Sequence, residues 1–112
     1  MDEALRAVAD PTRREILLLV RDREVPAGAI ARRFPQISRP AVSQHLRVLT
    51  EAGLLDVRRD GNRRLYRLRP EGLVEASGFL QELWVNRLGR LKRAAEQEEQ
   101  AHPGDQDADG AP

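Results

Sequence analysis

The apolar period of this chain changes from helical to alternating at Gly53, and that change limits the folds open to it. Before Gly53, apolar residues recur every three or four positions, as on a helix face; Val42, Leu46 and Leu49 are the clearest run. Beyond it they alternate: Leu55 and Val57 with Asp56 and Arg58, then Tyr66 and Leu68 with Arg67 and Arg69. Alternation is the period of a half-buried strand. Between the two alternating runs lies Asp60-Gly61-Asn62, a strong signal for a hairpin turn. Gly53 itself stands where a left-handed helix cap belongs. Helices followed by one hairpin in 112 residues leave room for a single small domain.

The helical part divides at its capping residues. Residues 2–9 read as a short helix with Ala4, Leu5 and Val8 on one face. Asp10 is a good N-cap, and Pro11 at the first helical position gives up no needed N–H. That helix is expected to run to about Arg23, burying Ile16, Leu17, Leu19 and Val20. Val25-Pro26 breaks it as a short extended piece. A third helix over 27–34 turns Ala27, Ile30, Ala31 and Phe34 inward, and Ser38 caps a fourth over 39–52, with Pro40 tolerated in its first turn. Pro70 ends the second strand. A long helix follows from about Glu71 to Gln97, carrying Leu73, Ala76, Leu80, Leu83, Trp84, Leu88, Leu91 and Ala95. The order is α-α-α-α-β-β-α, mainly α with a small β-hairpin. Residues 1–97 form the domain, and 98–112, rich in Gly, Asp, Ala and Pro, read as a disordered acidic tail.

The net charge of +1 averages two unlike regions. Residues 1–93 hold all 19 basic residues and 12 acidic ones, a net of +7, whereas 94–112 hold six acids and no Lys or Arg. A cationic domain favours a polyanionic partner. Of the basic residues 18 are Arg, a side chain suited to bidentate phosphate and guanine contacts, though Arg-rich codon usage would produce the same excess. With no Cys, disulfides and thiolate metal sites are excluded. There is no run apolar enough to span a bilayer and no signal peptide, which predicts a soluble, cytoplasmic protein.

Two short helices joined by a tight turn and followed by a basic hairpin make a winged helix-turn-helix unit. The second helix of the pair, 39–52, turns positions 42, 46 and 49 inward and leaves Arg39, Ser43, Gln44 and Arg47 outside. Arg can bond guanine O6 and N7 together, Gln can do the same with adenine N6 and N7, and Ser43 is short enough to allow close approach. The hairpin adds Arg58, Arg59, Arg63, Arg64, Arg67 and Arg69, opposed in the span 58–69 only by Asp60. Arg63 and Arg64 lie beside the tip, where a wing meets phosphates or the minor groove. Alone, the hairpin reads equally well as a solvated edge whose charges deter aggregation. Next to helix 39–52 the DNA-binding reading is the better one.

These segments together resemble the ArsR/SmtB family of winged-helix repressors. The resemblance is carried by Ala9-Asp10-Pro11-Thr12-Arg13-Arg14, by Ser38 to Leu49, by Glu51-Ala52-Gly53-Leu54-Leu55 and by the hairpin from Arg58 to Leu68. It covers about residues 3–95. It implies a homodimer paired through the first and last helices, repressing transcription from a pseudo-palindromic stretch of double-stranded DNA. Arg39, Ser43 and Gln44 would face the bases. Ser38, His45, Arg47, Arg58, Arg63 and Arg64 would face the backbone or form the wing. Leu5, Val8, Leu80, Leu83, Trp84, Leu88 and Leu91 would form the dimer interface.

The chain departs from the metal-sensing members. The stretch matching their Cys-x-Cys is Glu24-Val25-Pro26-Ala27-Gly28-Ala29, and residues 71–97 contain no His, so neither family metal site is expected and no cofactor is implied. Trp84 followed by Arg87-Leu88 is closer to the branch without metal ligands. Catalysis is not expected: Ser43 and His45 point about 200° apart on a helix and form no nucleophile pair. A competing reading, a module docking its basic hairpin on an acidic protein, leaves the polar face of helix 39–52 unexplained. The acidic tail could shield the basic wing, or act only as a solvated end. The sequence names neither operator nor inducer.

Overall fold

The computed structural model describes residues 1–101, with side chains except at positions 75, 86–88 and 99–101. Two compact units are present, Met1–Ser77 and a second that begins at Gly78. The first holds helices α1 (Asp2–Val8), α2 (Pro11–Leu19), α3 (Ala27–Arg32) and α4 (Arg39–Glu51), strands β1 (Val25–Pro26), β2 (Leu55–Asp60) and β3 (Arg63–Leu68), and a 3₁₀ turn at Pro70–Leu73. Helix α5 (Val74–Ala101) starts in the first unit and makes up the described part of the second. Among the described residues no helix is long and apolar enough to cross a membrane.

Local chemistry accounts for the helix ends. Asp10, in extended backbone, accepts the Arg13 N–H at 3.0 Å, and Pro11 opens α2. Ser38 does the same for α4, its Oγ accepting from Ala41 N at 3.2 Å, so both expected caps are present. At the far end of α4 the Leu54 N–H bonds the Leu49 carbonyl and the Gly53 N–H bonds the Thr50 carbonyl. With Gly53 at φ 78° this is the six-to-one, five-to-two cap that needs a residue without Cβ strain. Helix α2 stops at Leu19, short of the expected Arg23. Its next carbonyl, at Val20, is taken by the Leu68 N–H of β3 at 2.9 Å, which draws the chain out of the helix. Helix α3 likewise ends at Arg32, and Phe34 is buried from the turn that follows it.

The sheet is larger than a hairpin. Val25-Pro26 pairs antiparallel with β3, Val25 opposite Tyr66 and Pro26 opposite Leu65, giving the order β1-β3-β2. Pro26 lies on an edge strand, the place in a sheet where its missing N–H is tolerated. The β2–β3 register runs from Leu55 opposite Leu68 to Asp60 opposite Arg63, leaving Gly61-Asn62 as a two-residue turn. Gly61 has φ 66° and Asn62 is not in the positive-φ region, the type II′ pattern that matches strand twist. The expected alternation is only partly kept. Val57 is 44% exposed although it faces inward, while Leu65, on the opposite face, is buried beside Tyr66. The central strand is covered on both sides.

The core of the first unit is built from Ile16 and Val20 of the α2 end, Ile30, Phe34, the α4 stripe Val42, Leu46 and Leu49, and Leu54, Leu55 and Tyr66. Ile16, Val20, Ile30, Leu49 and Leu54 are fully enclosed, each contributing roughly 1.5–3 kcal/mol by burial. Helix α1 adds Ala4 and Ala7, not the expected Leu5, which is half-buried like Val8. Small residues let α1 lie close on the core. The 3₁₀ turn packs as closely: a Cβ at Gly72 would overlap the Gly53 carbonyl. The long C-terminal helix continues through Ala101, so residues 98–101, expected in the tail, are helical, while 102–112 lie outside the described residues.

Candidate nucleic-acid interface

The site is built on α4, whose amphipathic pattern was plain in the sequence. With Val42, Leu46 and Leu49 seated in the core, Arg39, Ser43, Gln44 and Arg47 are all exposed on the opposite side. Pro40 and the Ser38 cap fix where the helix starts, and therefore where Arg39 stands at its N-terminal end. Thr50 Oγ1 donates to the Leu46 carbonyl at 2.7 Å, so the last turn contributes no polar group outward from that residue.

The hairpin presents two faces, and register assigns its arginines to them. Directly opposite residues share a face. Leu55, Val57 and Arg59 therefore lie with Leu68, Tyr66 and Arg64, and Asp56, Arg58 and Asp60 lie with Arg67, Leu65 and Arg63. The first face turns toward α4. An open cleft runs between them, with Ser43, Arg47 and Glu51 on the helix side and Val57, Arg59 and Arg64 on the hairpin side. Among the described residues Arg39, Arg47, Arg59 and Arg64 make no hydrogen bond or ion pair; the last three line the cleft, and Arg39 stands at the N-terminal end of α4. The sequence reading counts Arg59 among the arginines of the hairpin but gives it no contact of its own. Only strand register could have singled it out.

On the other face Arg58, Arg63 and Arg69 are engaged, whereas Arg67 makes no hydrogen bond or ion pair among the described residues. Arg58 forms a two-pronged pair with Glu24, Nε to Oε2 at 2.8 Å and Nη2 to Oε1 at 2.7 Å. These bonds hold the Glu24 pKa below the ordinary glutamate range and raise that of Arg58. Arg63 lies 3.4 Å from Asp60, and Arg69 donates to the Gly53 carbonyl at 3.4 Å, 3.8 Å from Asp56. Of the expected wing residues, Arg64 thus joins the cleft, while Arg58 and Arg63 stand on the far face beside acids. His45 is also placed differently from Arg47. It is half-buried and turned toward the start of α2, with Nδ1 3.5 Å from Arg13 Nη1 and 3.8 Å from Asp10 Oδ2.

The second unit supplies an apolar helix face. Leu80, Leu83, Trp84 and Leu91 are each more than half exposed, as is Val85, with Phe79 only slightly less so. The Leu88 side chain lies outside the described residues. So many large apolar groups on one helix are more than a monomer normally leaves to water.

Comparison with known proteins gives the same picture. Residues 8–58 match a family described as "Helix-turn-helix domain". The chain is 44% identical over 87 residues to the HTH-type transcriptional regulator Rv2034 of Mycobacterium tuberculosis, an alignment covering 78% of this chain and 80% of the relative. It is 35% identical over 80 residues to the transcriptional repressor SdpR of Bacillus subtilis, covering 71% and 88%. Among solved structures, a "possible transcriptional regulator for arsenical resistance" superposes with a TM-score of 0.68 at 42% identity, covering 84% of this chain and 96% of that one. The homodimeric winged helix-turn-helix DNA-binding domain of a "possible ArsR-family transcriptional regulator" from Mycobacterium bovis superposes with a TM-score of 0.59 at 28% identity, covering 78% and 80%. The fold, the capping motifs and these similarities together place the chain in the ArsR family of winged helix-turn-helix transcriptional regulators.

Proposed function

We propose that the chain is a homodimeric repressor that binds a pseudo-palindromic operator, reads bases with α4 and grips the backbone with the inward face of its hairpin. The observation that carries this reading is the cleft lined by unpaired Arg47, Arg59 and Arg64 along the helix that exposes Arg39, Ser43 and Gln44. Arg39, Ser43 and Gln44 occupy the N-terminal, groove-facing part of a recognition helix. Ser38, Arg47 and Arg64 flank it at backbone reach, with Arg59 added to them. Arg58 and Arg63 serve the wing from its outer face, and His45 acts behind the helix.

Dimerisation through α1 and α5 accounts for the exposed apolar face formed by Leu80, Leu83, Trp84 and Leu91, with Leu5, Val8 and Leu88 completing the interface. The homodimeric state of the Mycobacterium bovis relative supports this assembly, and the name of the Bacillus subtilis relative supports repression. The work is binding in the cytoplasm, where the DNA is, with no chemical step. With no Cys in the chain, release of the promoter is not tied to metal at a thiolate site.

The test is selection of duplexes from a random pool with the full chain, followed by titration of Arg39→Ala and Gln44→Ala on the selected site. Each substitution is expected to cost about 1–3 kcal/mol there and to relax base preference at one position per half-site. Equal losses on selected and random duplexes would remove α4 from the groove. Failure to select any sequence would overturn specific recognition altogether.

A further inference from the structure

Helix α1 is seven residues long. Of its last carbonyls, that of Arg6 takes the Ala9 N–H at 3.2 Å, while those of Ala7 and Val8 have no partner within the helix. Two arginines of α2 reach back to them. Arg14 Nη1 donates to the Val8 carbonyl at 2.8 Å. Arg13 Nε donates to the Ala7 carbonyl at 2.7 Å, and its Nη2 to the Arg6 carbonyl at 3.2 Å. The third nitrogen of the same guanidinium, Nη1, lies 3.5 Å from His45 Nδ1, which accepts from it in the tautomer protonated at Nε2. Asp10, whose carboxylate takes the Arg13 backbone N–H, lies 3.8 Å from the same ring nitrogen. One planar fork therefore touches the end of α1 and the back of α4 at once. A lysine, with its single nitrogen, cannot reproduce that bridge.

His45 projects about 200° away from Ser43 around α4, so the residue held by Arg13 stands behind the face that reads bases. We propose that Arg13 is a positioning residue: by tying α1 to α4 it fixes the distance and rotation between the two recognition helices of the dimer, and so the half-site spacing the protein accepts. The inference rests on the proposed dimer through α1. In such a dimer any play between α1 and α4 in one subunit is repeated in the other by the two-fold axis. One base pair of spacing corresponds to about 3.4 Å along the duplex and about 34° around it, a displacement that a loosened helix could absorb and a fixed one could not.

The experiment uses the full chain and duplexes built from the half-site selected by the wild type, at spacings varied one base pair at a time, together with an isolated half-site. The wild type is expected to show one optimum, with affinity falling about tenfold a base pair to either side, whereas Arg13→Gln is expected to flatten that fall to under about threefold and to leave isolated half-site affinity within about twofold. His45→Ala keeps both α1 capping bonds and removes only the link to α4, and it should flatten the profile in the same way. Arg13→Lys keeps the charge and should stay flattened. A folded Arg13→Gln or His45→Ala protein with the wild-type spacing profile overturns the inference, as does full rescue by Arg13→Lys. Equal losses on isolated and paired half-sites also overturn it, since they mark a phosphate contact. If Arg13→Gln does not fold, His45→Ala decides. A wild type with no spacing optimum overturns the dimeric reading beneath the inference, a result distinct from all of these.

Discussion

The two faces of the hairpin carry similar numbers of arginines and differ in what surrounds them. On the face toward α4, Arg59 and Arg64 have no acid opposite or beside them in the ladder. On the other, Asp56 and Asp60 alternate with Arg58, and Glu24 reaches across from the segment before β1 to hold it. A guanidinium already paired must break that pair before it can meet a phosphate, so on the proposed binding mode Arg58 and Arg63 should gain less than Arg59 and Arg64. Counting basic residues gives the wing its charge but not its direction. Direction comes from register.

This contrast can be broken most sharply by Arg59→Ala combined with Arg64→Ala. Loss of two phosphate contacts should lower the slope of log affinity against log salt by about two units and weaken binding roughly 30-fold near 0.15 M salt, on selected and random duplexes alike. An unchanged slope would put the DNA elsewhere. Glu24→Gln should act oppositely: with Arg58 released, non-specific affinity should rise by up to about fivefold and the salt slope steepen by up to about one unit. No change would show that the outer face never approaches the duplex. A third substitution concerns stability instead of binding. Asp10→Ala removes the α2 cap and should cost about 1 kcal/mol in denaturant unfolding, leaving the salt slope unaltered. The Arg13 N–H on its carboxylate holds the Asp10 pKa below the ordinary aspartate value, against the opposing effect of burial, with nearby His45 and Arg13 adding to the lowering. The carboxylate's contribution is therefore complete above that value and is lost as pH falls through the lowered one. Wild type and Asp10→Ala should accordingly converge in stability toward acid pH, as measured by paired unfolding curves. The smallest effect is expected from Arg58→Ala and Arg63→Ala, less than about twofold each in DNA affinity at the same salt.

Much of this architecture was legible because each element announces itself within a few residues. Asp10-Pro11 and Ser38 with Pro40 mark helix starts by chemistry local to them, Gly53 marks a helix end, and Gly61-Asn62 marks a turn. The exposed set Arg39, Ser43, Gln44 and Arg47 followed from the inward spacing of Val42, Leu46 and Leu49. What was not legible depends on partners far along the chain. The end of α2 is set by an N–H from Leu68, and the strand character of Val25-Pro26 by Tyr66 and Leu65. The pairing of Arg58 with Glu24 and the turning of His45 toward Arg13 span more than thirty positions each. Arg59 was overlooked for the same reason, since its face is fixed by Arg64 across the ladder and by α4 beyond it.

The way β3 is held has a mechanical consequence. Its middle, Leu65 and Tyr66, is flanked by β1 on one side and β2 on the other, and Leu68 is tied to Val20 at the end of α2 as well. Its first two residues, Arg63 and Arg64, have only β2 paired with them. The hairpin is thus a cantilever, clamped at Leu65–Leu68 and unsupported at Gly61-Asn62. Amide exchange should slow from tip to root along the strand. A beam of this kind bends at its free end while its root keeps alignment with α4. On the proposed binding mode, such a beam would let the tip follow a minor groove of variable width without disturbing α4 in the major one.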